Sequence, residues 1–591
     1  MPNRRIYEFG LFRLDIAERL LLRNGKAVSL TPKVFDTLAV LVQKSGHVVG
    51  KDELMNEVWP GSFVEESNLT QNIFILRKVL GVSRGGQSFI ETVPKRGYRF
   101  VAPVREAPDD DLAAGQLTGP GVISKASTQD DAFSSLAVLP LTNASTNTDA
   151  EYLSDGITES IINSLSKIPQ LRVMSRSTVF RYKGKDVDAR EVGQELGVGA
   201  VMAGRVLQIS DSLIVRTELV DVANGWQLWG EQYNRKLADI LDLQEDIAQE
   251  ISEKLKIRLT GEEKKRLAKR YTEDSEAYQL YLRGRYYWNK YTKEGLTKAV
   301  EFFNQAIELD PNYALAYAGL ADSCYRLSNA YAPPKEAMPK ARTAAMKAVE
   351  IDGTLPEAHA SLGLIKMYHD WDFPGAEREY KRAIELDPHS PLGYHRLASC
   401  LQLTERFDEA LANLKRALEL DPLSLLVGSL LAFNLYLRRQ YDESIEKYKK
   451  VLDMDPNYLQ ARFGIGHPYE QKGMYEEAIA AYEEAKILSE DLTSELVASQ
   501  GHTYAVSGQA REAKKVLAYL SERSRGNYVS PYGIAKIYVG LGEIDLAFEW
   551  LERAYDERSE YLVWLRIDPR LDRIREDARY QDLLQRVGLE V

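Results

Sequence analysis

Three acidic-proline pairs, Asp387-Pro388, Asp421-Pro422 and Asp455-Pro456, recur at a spacing of 34 residues, with Asp310-Pro311 upstream. A fixed period of this length restricts the chain to stacked copies of one helical unit, because a single copy leaves an apolar face uncovered. Triplets at i, i+4 and i+7 repeat with it: Ala299, Phe303 and Ala306; Ala376, Tyr380 and Ala383; Ala410, Leu414 and Ala417; Ala547, Leu551 and Ala554. Ala398, Ala432, Gly466, Gly501 and Ala535 stand 12 residues before such anchors, as close helix packing requires. The spacing predicts eight helix pairs between Thr272 and Ser559, and residues after Glu560, with Trp564 and Leu571, are expected to cap the open end.

The remaining sequence needs other folds. At about 100 to 200 residues per domain, 591 residues exclude a single domain. With 76 Lys+Arg against 87 Asp+Glu, a net charge of −11 and 44% hydrophobic residues, the composition is that of a globular chain. Two cysteines, Cys324 and Cys400, assemble neither a disulfide framework nor a cysteine zinc site, which points to a reducing compartment. The N-terminus lacks the apolar core of a secretory signal, and the uncharged stretch Leu423 to Leu437 is shorter than the roughly 20 residues of a membrane span. A cytoplasmic protein with no membrane contact is expected.

Charge is uneven. Residues 1 to 66 balance, whereas residues 67 to 104 carry Arg77, Lys78, Arg84, Lys95, Arg96 and Arg99 against Glu91 alone, a local excess of +5 inside an acidic chain. Cations concentrated in this way suit the phosphates of nucleic acid. The pattern around them predicts short strands over Phe9 to Leu14, Leu20 to Leu22 and Val28 to Leu30, with a tight turn at Asn24-Gly25. A first helix opens at Thr31-Pro32, a second runs from Lys51 to Trp59 and ends at Pro60-Gly61. A third is capped by Ser67 or Asn68 and buries Leu69, Ile73, Leu76 and Leu80. Its other faces carry Thr70, Gln71, Asn72, Phe74, Ile75, Arg77 and Lys78, a mixture that reads base edges and clamps phosphates. Phe89 to Phe100 reads as a hairpin turning at Gly97, with Lys95 and Arg96 at its tip.

These residues resemble the winged-helix DNA-binding domain of the OmpR/PhoB type, and within it the CadC/ToxR-like branch. The resemblance rests on Leu30-Thr31-Pro32-Lys33 with Phe35-Asp36-Thr37-Leu38, on Val58-Trp59, on Asn68 to Ile73 with Leu76-Arg77-Lys78, and on Thr92 to Phe100. It implies that the third helix enters the major groove of promoter DNA, with Thr70, Gln71 and Ile75 toward bases and Arg77 toward a phosphate, while the wing reaches the minor groove. The expected DNA-binding set is Asn68, Thr70, Gln71, Asn72, Ile75, Arg77, Lys78, Lys95, Arg96 and Arg99. The sequence departs from the family at Phe74, Ile75 and Pro94, where arginines are common. Typical members belong to phosphorelays and are switched at an aspartate of a receiver domain. Here the winged helix starts within ten residues of the first Met, so no receiver is expected to precede it.

Residues 105 to 133, rich in Gly, Pro, Ser and Asp, read as a flexible tether. From Ser134, Leu136 to Leu141 and Leu171 to Ser175 read as strands around a helix at Ile157 to Ile168. Ala200 to Ile209, Leu213 to Val220 and Trp226 to Tyr233 follow as strands, and a helix after Asp239 places Ile240, Leu243, Ile247, Ile251 and Leu255 on one side, as cover for its own sheet or as a dimer seam. Asp155 reads as a helix N-cap. The glycines from Gly197 to Gly204 open no helix, so a phosphate loop is not expected. This segment resembles the TolB N-terminal domain, through Leu136 to Leu141, Asp155-Gly156-Ile157-Thr158-Glu159, Val222-Ala223-Asn224-Gly225 and Leu228-Trp229. The 34-residue period identifies the C-terminal part as similar to tetratricopeptide repeats, whose concave groove suits a peptide or protein surface.

The expected architecture is multidomain and mainly α: a winged helix-turn-helix (1–104), a linker (105–133), an α/β TolB-like domain (134–260), a repeat superhelix (261–559) and a cap (560–591). Tyr286-Tyr287-Trp288 is expected to pack between repeats. The seven histidines show no metal-ligand spacing, and neither an enzyme, a cofactor nor a metal is expected. The expected function is a CadC-like regulator binding a promoter element, with a protein or peptide partner in the repeat groove, RNA polymerase among the candidates, and a homodimer on DNA as a further expectation. The alternative is an interaction scaffold whose winged helix no longer binds DNA.

Overall fold

The computed structural model describes residues 6–16, 20–23, 26–28, 30, 32–58, 69, 72–73, 76–77, 79–80, 89–93, 96–107, 133–145, 150–257, 259–489 and 493–589. The chain divides into two compact units, residues 1–131 with 220–228, and 132–219 with 229–591.

In the first unit, strands β1 (Ile6–Phe9), β2 (Phe12–Asp15), β3 (Leu20–Arg23) and β4 (Lys26–Val28) form a sheet with β8 (Arg105–Ala107), in the order β4-β3-β2-β1-β8. The apolar run Phe9 to Leu14 is thus two strands rather than one. Gly10, with φ +58°, turns the chain between them, and Phe9 pairs with Phe12. Arg105–Ala107, assigned to the tether from sequence, instead pairs with β1. The tether itself, and the Asn24-Gly25 turn, lie outside the described residues. Helices α1 (Pro32–Gln43) and α2 (Lys51–Val58) follow the expected pattern. A third helix is described at Leu69, Asn72, Ile73, Leu76, Arg77, Val79 and Leu80. Its stripe Leu69, Ile73, Leu76 and Leu80 is buried with Leu38, Leu41 and Leu54.

The second unit begins with an α/β domain. Its sheet runs β11 (Arg172–Val173), β9 (Ser135–Val138), β12 (Ala200–Ile209), β13 (Ser212–Asp221), β14 (Gln227–Lys236), with β10 (Thr142–Asn143) beside β12. β9 pairs in parallel with β11 and β12, which requires helical crossovers, and the helix Glu151–Leu165 supplies one. The stripe Ile240, Leu243, Ile247, Ile251 and Leu255 is fully buried, so it covers this domain and is no exposed seam. Asp155 lies inside Glu151–Leu165 rather than at its cap, and its carboxylate accepts two hydrogen bonds from Lys183 Nζ, at 2.6 and 2.8 Å.

Eight helix pairs follow, from Ser275–Trp288 with Lys293–Leu309 to Pro531–Leu541 with Ile544–Asp556. The triplet anchors named from the period are all buried. Leu425–Leu437, within the uncharged stretch, is the first helix of the fifth pair, and among the described residues no helix is long and apolar enough to cross a membrane. Cys324 and Cys400 are buried free thiols.

The inner face of the array is covered twice over. Toward its start, the α/β domain docks through Gly156, whose missing side chain lets Leu282 approach; a Cβ there would stand 2.9 Å from the Leu282 methyls. Arg285 Nη2 donates to Glu159 at 2.6 Å, and Ser175 Oγ and Thr178 Oγ1 donate to the buried carboxylate of Asp421 at 2.5 and 2.7 Å. Toward its end, residues after Glu560 do more than cap the last pair. They also touch earlier pairs, with Trp564 edge-on to Phe433 in the fifth, Arg566 on Glu405 between the two helices of the fourth, and Arg570 Nη1 donating to Ser499 Oγ in the seventh.

Candidate nucleic-acid interface

The interface is built on a small polar hub. Thr37 Oγ1 donates back to Lys33 O at 2.7 Å, and Lys33 Nζ donates to Val58 O at 2.6 Å, tying α1 to the end of α2. Asn72, 8% exposed, donates its Nδ2 to Lys33 O at 3.1 Å and to Thr37 Oγ1 at 3.0 Å. Expected in the DNA-binding set, Asn72 instead fixes the third helix against α1. A buried amide is held by partners of this kind because leaving it unpaired is costly.

The wing is a three-stranded sheet, with β7 (Gly97–Phe100) between β5 (Val48–Gly50) and β6 (Ile90–Val93). The sequence reading placed a turn at Gly97 and missed β5. Gly97 in fact opens the return strand, paired with Val93 on one side and Gly50 on the other. Its φ is +144°, and a Cβ would stand 2.0 Å from Val49 O, so only glycine allows β5 to pair there. The Arg96 amide donates to Val93 O at 3.0 Å and closes the turn. Phe9, Phe12, Phe89 and Phe100 pack as a ring cluster with centroids 5.0 to 6.2 Å apart, joining the wing to the N-terminal sheet.

Arg77 links helix and wing. Its Nε donates to Ile90 O at 3.1 Å and its Nη2 to Thr92 Oγ1 at 2.6 Å. The side chain read as facing a phosphate therefore holds β6 to the third helix. Arg99 lies half-buried, 3.8 Å from Glu91 across the wing, which offsets part of its charge, while Arg96 is exposed at the tip. Asn68, Thr70, Gln71, Ile75, Lys78 and Lys95 lie outside the described residues, as do Thr31, Phe74 and Pro94. The sequence names Lys33 and Thr37 only through the family resemblance, with no role, and Val48–Gly50 was missed; the β-branched pair Val48-Val49 before a glycine was the available strand signal.

A helix fixed by its buried stripe and clamped to a three-stranded wing defines a winged-helix DNA-binding domain, and residues 25–100 match the model of the C-terminal domain of transcriptional regulatory proteins. Residues 132–259 match the second domain of HilA/YgeH-like transcriptional regulators, and residues 291–313, 393–422 and 432–492 match tetratricopeptide repeats. Among individual proteins, the chain is 29% identical over 380 residues to the transcriptional regulator HilA of Salmonella typhimurium, covering 63% of this chain and 62% of that one. It is 37% identical over 105 residues to the transcriptional activator CadC of Escherichia coli, covering 18% and 20%. It is also 34% identical over 249 residues to a putative adenylate cyclase 3 of Rhizobium meliloti, covering 42% of each. The chain thus spans about three-fifths of HilA, two-fifths of the cyclase and a fifth of CadC. It is homologous to HilA- and CadC-type regulators, with a DNA-binding domain and tetratricopeptide repeats.

Proposed function

We propose that this chain is a non-enzymatic transcription regulator of CadC-like, one-component type, working in the cytoplasm and binding promoter DNA through the third helix and wing. The observation that carries this reading is the Arg77 clamp, which presents the helix and the wing as one surface. The base-facing set is Thr70, Gln71 and Ile75, the phosphate-facing set is Lys78, Lys95, Arg96 and Arg99, and Asn68 completes the DNA-binding set. The α/β domain, proposed to be TolB-like, and the repeats carry the signal-responsive half. A protein partner, RNA polymerase among the candidates, meets the repeats away from their covered inner face, and a homodimer on DNA completes the proposal.

The test is the salt dependence of duplex DNA binding by the full chain. Each phosphate contact contributes about −0.9 to the slope of log K against log salt. Lys78→Ala is expected to flatten the slope by about that amount; an unchanged slope removes Lys78 from the contact set. The relative named for adenylate cyclase supplies a second reading, which formation of cyclic AMP from ATP by the purified chain would favour.

A further inference from the structure

A cavity of about 800 Å³ lies between the α/β domain and the first four helix pairs. This is within the range of small-molecule sites, about 300 to 1,000 Å³. Its walls come from both bodies: Gln244 from the α/β domain, Trp288 from the first pair, Glu357 from the third and Arg396 from the fourth.

These four side chains share one property. Gln244 is 7% exposed, and its Oε1 accepts from Ser160 Oγ at 2.7 Å and from Tyr278 OH at 2.6 Å. The amide is thereby oriented, yet its Nε2 is shielded from solvent without a hydrogen-bond partner in the protein. Trp288 Nε1 and Arg396 Nε are shielded donors in the same condition, and Glu357 Oε2 is a shielded acceptor. Arg176 Nε, a fifth shielded donor on the wall, faces Glu159 at 3.1 Å; buried polar groups in folded proteins are paired as a rule, so the other four call for a ligand that completes them.

The signs of the four groups select its chemistry. The cavity's other carboxylates are already engaged: Glu159 by Arg285 at 2.6 Å and Arg176 at 3.1 Å, Glu245 by Arg270, Asp322 by Ser361, Asp387 by the His389 amide and Asp421 by Thr178. Lys167 and Arg285 act on Glu357 through space, but Lys167 sits over the Tyr271 ring at 5.0 Å and Arg285 is paired with Glu159. Glu357 therefore remains for an ammonium group, while three neutral or cationic donors remain for a carboxylate. Burial pushes the Glu357 carboxyl up, against the opposing pull of Lys167 and Arg285.

We infer that this cavity is an effector site for a small zwitterion, carrying an ammonium for Glu357 and a carboxylate for Gln244, Trp288 and Arg396, of amino-acid or short-peptide size. The inference deepens the signal-responsive half of the proposed function. Because the cavity is walled by the α/β domain and the repeats together, the ligand biases how tightly they dock.

The experiment is isothermal titration of the full chain, without DNA, using the twenty free amino acids and a set of dipeptides as probes. Their N-acetylated and C-amidated counterparts serve as controls. Saturable binding is expected for at least one free zwitterion, with each blocked form weaker by about tenfold or more, the loss of one charged hydrogen bond. Glu357→Gln is expected to weaken the free form to the level of its N-acetylated form. Arg396→Lys, which keeps the charge and removes the Nε donor, provides a second variant should the first fail to fold. Absence of saturable binding by every probe, as when water alone satisfies the four groups, overturns the inference. Equal binding of free and blocked forms overturns it as well. Since DNA takes no part, these results stand apart from any failure of promoter binding.

Discussion

Arg77 and Asn72 both bind the domain's own backbone, and each fixes a different neighbour of the third helix. Asn72 ties it to α1, and Arg77 ties it to β6. Asn72→Ala removes two buried hydrogen bonds and is expected to lower stability by about 1–3 kcal/mol. A denaturant midpoint measures the loss, and the salt slope of DNA binding should not change. A helical pattern places both residues off the apolar stripe, and there the sequence reading took them for DNA contacts. What it could not supply is the partner: Lys33 O lies 39 residues away from Asn72 in the chain, and Ile90 O lies 13 from Arg77. Gly97 shows the same limit. Its identity marks a special backbone position, but the reason is the approach of Val49, from a strand too short to announce itself.

At the scale of elements, the 34-residue period made the repeats legible because each anchor packs on a neighbour near in sequence. The C-terminal segment was not legible in the same way. Its partners, Glu405, Phe433 and Ser499, lie far back in the chain, and no local pattern distinguishes a helix that caps an end from one that lines a groove. The segment carries a built-in pH response. Glu560 is 3% exposed, and burial pushes its carboxyl from 4.5 up to about 8, with Arg326 and the Tyr325 hydroxyl opposing and Glu495 reinforcing the shift. Between those values the folded chain holds a proton that the unfolded chain has lost. Stability therefore falls as pH rises through this window, by about 1.4 kcal/mol per pH unit at most. Glu560→Gln should remove this contribution and raise stability at pH 8, as thermal unfolding across pH 5 to 8 would show. A variant that unfolds with the same pH dependence as the parent would exclude Glu560 as the source.

At the scale of the molecule, the chain joins a DNA-binding unit to a second unit in which the α/β domain, the repeats and the C-terminal segment share one interior. The three-part order was visible in composition and period, whereas the docking of the α/β domain on the repeats was not. That docking depends on Asp421, read from sequence only as one of the period's acidic-proline pairs, and on hydroxyls at Ser175 and Thr178 that carry no motif. The first unit is expected to recognise particular duplex sequences. This is tested most directly by selecting genomic fragments with the full chain in the presence of excess competitor DNA. The account predicts enrichment of a few fragments sharing a common element, with preference for that element lost on changing Thr70 and Gln71 to Ala. Retention of fragments without sequence preference, or of none at moderate salt, would contradict it.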